Sequence, residues 1–60
     1  MKFRELEKII NADGWQLDRV NGSHHQYLHP TKKGLVTIPF HGGDVPKVVV
    51  KNVLQQAKLK

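Results

Sequence analysis

Apolar positions recur at helical spacing near both ends of this chain and alternate with polar positions in the middle. Phe3, Leu6, Ile9 and Ile10 fall three and four apart, with Arg4, Glu5, Glu7 and Lys8 between them, which predicts a helix over residues 3–13. Glu5 and Glu7 suit the positive end of its dipole, although no good capping residue precedes them. Asn11-Ala12-Asp13-Gly14 is a stop signal, because glycine takes the left-handed conformation that closes a helix. Trp15 to Val20 then alternates, with Trp15, Leu17 and Arg19 on one side and Gln16, Asp18 and Val20 on the other. Asn21-Gly22 marks a tight hairpin turn. Beyond it, His24, Gln26 and Leu28 share one face of a strand over 24–29, and His25, Tyr27 and His29 share the other. If Asn21 and Gly22 form the loop, Val20 pairs with Ser23 and Arg19 lies opposite His24; a bulge or a longer loop shifts that register.

Pro30 to Gly34 reads as a second connection, and Leu35 to Pro39 as a third strand ended by a residue that cannot donate to a ladder. His41-Gly42-Gly43 is a loop. Val45, Val48, Val49, Val50, Val53, Leu54 and Ala57 then fit a helix over 45–57, with Asp44 as its cap and Pro46 in its first turn. Three successive valines favour a strand locally. Length decides for helix, since the apolar spacing holds for about four turns. The strands lie near 15–20, 24–29 and 35–39. The order helix, three antiparallel strands, helix predicts an α+β sandwich over residues 1–60 with both helices on one sheet face.

Composition narrows the class. None of the 60 residues is cysteine, so neither disulfides nor thiolate metal sites hold so small a chain together. The longest apolar run is Val48 to Val50, too short to span a membrane. Arg4, Glu5, Glu7, Lys8 and Asp13 near the start predict no signal peptide. A net charge of +5 favours a polyanion or an acidic protein as partner.

The residues that can carry chemistry gather around Gly22-Ser23-His24-His25. A histidine beside a hairpin turn is reachable by substrate and can exchange a proton near neutral pH. Gly22 permits close backbone approach, and Ser23 adds a hydroxyl and an N–H for a phosphate oxygen. The bland alternative is a polar tip bearing an ordinary exposed histidine. His25 and His29, with His24 or His41, invite a metal reading, but strand histidines four apart lie about 13 Å from each other, too far to share one ion. No metal or cofactor is expected. Lys32, Lys33, Lys47 and Lys51 are candidate phosphate contacts, and Arg19 can clamp a phosphate through two N–H groups. Tyr27 is the aromatic best suited to stack on a base, whereas Trp15 and Phe40 read as core.

In order along the chain, Gly14-Trp15, Arg19, Gly22-Ser23-His24-His25, Pro39 with His41 two residues on, and the closing Val53-Leu54-Gln55-Gln56-Ala57 resemble the HicA (YcfA-like) toxins of toxin–antitoxin systems. The resemblance covers essentially the whole chain. It implies a miniature double-stranded-RNA-binding-domain fold and a cytoplasmic mRNA interferase, an endoribonuclease that halts translation and depends on the histidine of Gly-Ser-His, His24. It also implies a HicB antitoxin that occludes His24 and the basic surface and alone carries the operator-DNA contact. Ser23, Gly22, Arg19, His25 and His41 are the candidates to support catalysis. Two positions depart from the pattern: Val48 and Lys58 stand where the family usually has glycine. The competing readings are a non-catalytic module that docks duplex RNA by shape, an inactive toxin relative, and an adaptor for an acidic protein.

Overall fold

The structure, a computed structural model, describes residues 1–40 and 42–59. Helix α1 spans Phe3–Asp13, strands β1, β2 and β3 span Gln16–Asn21, His24–Leu28 and Val36–Pro39, and helix α2 spans Lys47–Gln56. The strands form one antiparallel sheet in the order β1-β2-β3. This is the α-β-β-β-α sandwich that the hydrophobic pattern predicts.

α1 begins without a side-chain cap from Lys2, but the Glu5 carboxylate reaches back 2.9 Å to accept the Lys2 backbone N–H. It ends at Gly14, whose φ of 113° lets its N–H reach Asn11 O at 3.0 Å while Trp15 N–H reaches Ile10 O at 3.0 Å. That closure delivers Trp15 into the core, where its indole N–H donates to Ala57 O at 3.3 Å. Phe3, Leu6 and Ile10 of α1, Tyr27, Val36 and Ile38 of the sheet, and Val45, Val53 and Ala57 around α2 complete one buried cluster.

α2 starts at Lys47, two residues later than its apolar spacing predicts. Asp44 does not cap it. Instead Asp44 bridges to Lys2, with Oδ1 3.0 Å from Nζ, and Val45 N–H donates to Met1 O at 2.6 Å, tying the chain before α2 to the chain before α1. At the far end Lys58 adopts φ 59°, with Lys58 N–H on Gln55 O and Leu59 N–H on Leu54 O. The left-handed closure of α2 is therefore kept at a residue that has a Cβ.

The first hairpin turns one residue later than Asn21-Gly22 predicts. Asn21 pairs with His24 and Val20 with His25, so the loop is Gly22-Ser23 and Arg19 lies opposite Gln26 rather than His24. In this register the positive φ of the turn, 63°, falls on Gly22, and Ser23 needs none. A slip of two residues leaves every side chain on its face. The second difference does change faces. A bulge between Leu17 and Arg19 places Leu17 opposite Tyr27 and Val20 opposite His25, so both apolar residues of β1 share the helix-covered side.

Candidate active site

The sheet has two unlike faces. One, with His25, Tyr27, Val36 and Ile38, carries both helices. The other carries Arg19, Asn21, His24, Gln26, Leu28, Thr37 and Pro39, all exposed or half-buried. His24 opens β2 on this second face between its cross-strand partners Asn21 and Pro39, and it is exposed. Arg19 stands two positions along β1 from Asn21, hence diagonal to His24 on the same face. Its Nε contacts Asp18 Oδ2 at 3.1 Å, an exposed neighbour pair that leaves the rest of the guanidinium fork open. Gly22 and Ser23 form the adjacent turn, and Ser23 O accepts the Phe40 N–H at 2.6 Å, which fastens the end of β3 to the tip.

His25 does not join His24. One residue further along a strand, it points to the opposite face, where its ring meets the edge of Phe3 at 4.9 Å and lies 5.5 Å from Phe40. Its Nδ1 is buried and has no hydrogen-bond partner among the described residues. His41 lies outside the described residues.

The structure corrects the reading of three other residues. Tyr27 is fully buried, with its hydroxyl donating to Glu7 Oε2 at 2.5 Å, so it presents no ring to a base. Burial and the Glu7 carboxylate hold that hydroxyl protonated far above the ordinary tyrosine range. Phe40, read as core, is 49% exposed. Lys32 is not a free cation: its ammonium sits 2.6 Å from Asp13 Oδ2 and 3.2 Å from Ala57 O, and holds the Asp13 carboxyl below its usual range. Lys33, Lys47 and Lys51 are exposed, the last two one turn apart on α2.

His29 has a structural part that its place in the histidine cluster did not signal. Its Nε2 meets Asp13 O at 2.7 Å, while Nδ1 faces Thr31 N–H at 3.0 Å and Lys32 N–H at 2.9 Å. That pattern puts the proton on Nε2 and makes Nδ1 the acceptor. Among the described residues no three His, Asp or Glu side chains converge as a metal ion would require.

The uncovered face of this basic α-β-β-β-α sandwich thus carries an exposed histidine with an arginine diagonal to it. Over residues 3–59 the chain matches the family described as HicA toxin of bacterial toxin–antitoxin, and it belongs to that family. HicA toxins are in general endoribonucleases and pair with HicB antitoxins. A comparison with curated proteins found no match. Among the described residues no helix is long and apolar enough to cross a membrane.

Proposed function

We propose that this protein is an mRNA interferase whose cleavage depends on His24 and needs no metal. The observation that carries the reading is the exposure of His24 on the uncovered sheet face, diagonal to Arg19, in a chain of the HicA toxin family. The 2′-hydroxyl beside the scissile phosphate attacks phosphorus, and the bond to the 5′-oxygen of the next nucleotide breaks. His24 takes the 2′-hydroxyl proton or supplies one to the departing 5′-oxygen. The products are a cyclic 2′,3′-phosphate and a free 5′-hydroxyl. Arg19 stabilises charge on the phosphorane-like transition state, and the backbone at Gly22-Ser23 lets the phosphate approach closely. His25 faces away from His24, so the second proton transfer falls to His41 or to a water.

Lys33, Lys47 and Lys51 contribute phosphate contacts without sequence readout. A HicB-like antitoxin holds the toxin inactive by covering His24 and part of this basic surface with an acidic footprint, and operator DNA is met only through that antitoxin. The test is to incubate the purified protein with an unstructured RNA in EDTA and identify the product ends. Cyclic 2′,3′-phosphates support the mechanism. Cleavage that disappears in EDTA and returns with a divalent ion refutes its metal independence.

A further inference from the structure

A cleft of about 250 Å³ opens beside the hairpin tip, lined by Lys2, Phe3, Arg4, Phe40, Gly42 and Gly43. Its position is set by the sheet. Phe40 follows Pro39, the cross-strand partner of His24, and its N–H is bonded to Ser23 O, so one wall of the cleft is one residue from the His24 pair. The Phe40 ring is steadied from behind: it meets the Phe3 edge at 4.9 Å and 76°, and the His25 ring at 5.5 Å and 32°. Its other side is open, which leaves it 49% exposed where Phe3 is 7% exposed. A large aromatic ring held in a fixed orientation and half bare to water is an unfinished contact.

The rim of the cleft names the chemistry that would finish it. Arg4 is exposed and has no ion-pair partner among the described residues. Lys2 is paired with Asp44, but both side chains are well exposed, so a phosphate can replace that partner at little cost. An oriented aromatic face with cations around it is the arrangement by which proteins hold unpaired bases, the ring stacking and the cations meeting the backbone. We infer that this cleft is a base subsite: it takes one unpaired base of a single-stranded RNA that passes round the end of the sheet from the phosphate at His24 on the opposite face. The inference rests on the reading of His24 as the cleavage residue for its meaning, but not for its measurement. It assigns to Phe40 the stacking that its sequence neighbourhood assigns to Tyr27. It also gives substrate choice a physical basis, since a base locked in a duplex cannot enter a cleft of this size.

Equilibrium binding tests it with probes that cannot be cut through their own 2′-oxygen. A labelled, unpaired 2′-O-methyl oligonucleotide and a hairpin duplex of the same composition are titrated against the full chain and its Phe40→Leu and Phe40→Trp variants. Leucine keeps apolar contact with Phe3 and loses the stacking face; tryptophan keeps it. Phe40→Leu should weaken single-strand binding roughly tenfold, Phe40→Trp should hold it, and the duplex should respond to neither. In the unaltered protein, an abasic nucleotide walked along the strand should lower affinity by about the same factor at one position, a readout that does not depend on any variant folding. Single-strand affinity unchanged in Phe40→Leu, equal weakening of strand and duplex, or a flat abasic scan would each overturn the subsite. The two claims fail separately. Normal RNA cleavage with an unchanged KM in Phe40→Leu removes the subsite and leaves His24 in place. Full cleavage in His24→Ala removes His24, while a strand-selective loss in Phe40→Leu still establishes the subsite.

Discussion

Replacing Gly14 by alanine should damage this protein more than the same change at any of its other glycines. Two terms add. The backbone at Gly14 has φ 113°, and holding an L-residue on that side of the map costs about 1–2 kcal/mol. The new Cβ would also lie 2.7 Å from His29 Nε2, inside any real contact distance. The imidazole cannot simply step aside. It is bonded to Asp13 O, Thr31 N and Lys32 N, its side chain is 8% exposed, and it meets Trp15 edge-on at 5.1 Å. Giving up two of those hydrogen bonds costs about 0.5–1.5 kcal/mol each, for a total of about 2–5 kcal/mol. A chain of this size is stable by only about 3–9 kcal/mol, and each kcal/mol moves the midpoint by roughly 4–8 °C. Thermal unfolding followed by circular dichroism should therefore show Tm falling by about 10 °C or more. Adding His29→Ala to Gly14→Ala removes the clash but not the backbone strain, so the pair should lose less than the sum of the two single changes. A fall of less than about 4 °C for Gly14→Ala alone would mean that the imidazole is not fixed as described.

Three further outcomes follow from the same geometry. Lys58→Gly should stabilise by about 0.5–1 kcal/mol in the same unfolding assay, because it relieves a left-handed residue while both closing hydrogen bonds of α2 remain. Asp13→Asn should be less stable than the unaltered chain at neutral pH, and the gap should close in acid. The Lys32 ammonium depresses the Asp13 carboxyl in the folded state, so the stabilisation is present above the ordinary carboxylate pKa of 3.8 and is lost as pH falls below it through the lowered folded value. Lys47→Ala and Lys51→Ala should each weaken single-stranded RNA binding and flatten its salt dependence by about 0.7 in the log–log slope; Lys32→Ala, already committed to Asp13, should leave the slope alone.

The two helices and the strand order are legible in the sequence because they rest on local periodicity, which neighbouring residues enforce on one another. What escaped it depends on residues far along the chain. Tyr27 and His29 alternate with polar neighbours and so read as a presenting face. Tyr27 is buried with Glu7 meeting its hydroxyl from 20 residues away, and the His29 side chain is largely covered with the Asp13 carbonyl meeting it from 16 away. Lys32 leaves the cationic surface for a similar reason, since Asp13 lies 19 residues before it. The hairpin register turned on a finer point. Asn21-Gly22 and Gly22-Ser23 are both good loops, and the second needs left-handed backbone only at the glycine. The bulge at Asp18 has no signature in the alternation of β1, yet Leu17 and Val20 stand three apart, the spacing that a bulge brings onto one face. The exposure of His24, by contrast, was legible beside the turn, since both candidate loops leave it on the face opposite His25 and Tyr27.

The central claim is that His24 carries out a proton transfer without supporting the fold. It is exposed, makes no side-chain hydrogen bond among the described residues, and leaves no core cavity when truncated, so His24→Ala should change stability by no more than about 0.5 kcal/mol. The measurement is the single-turnover rate of RNA cleavage in EDTA by the unaltered protein and by His24→Ala, on samples whose unfolding midpoints match. The account predicts a loss of about a hundredfold or more in the variant. Equal rates at equal stability would contradict it.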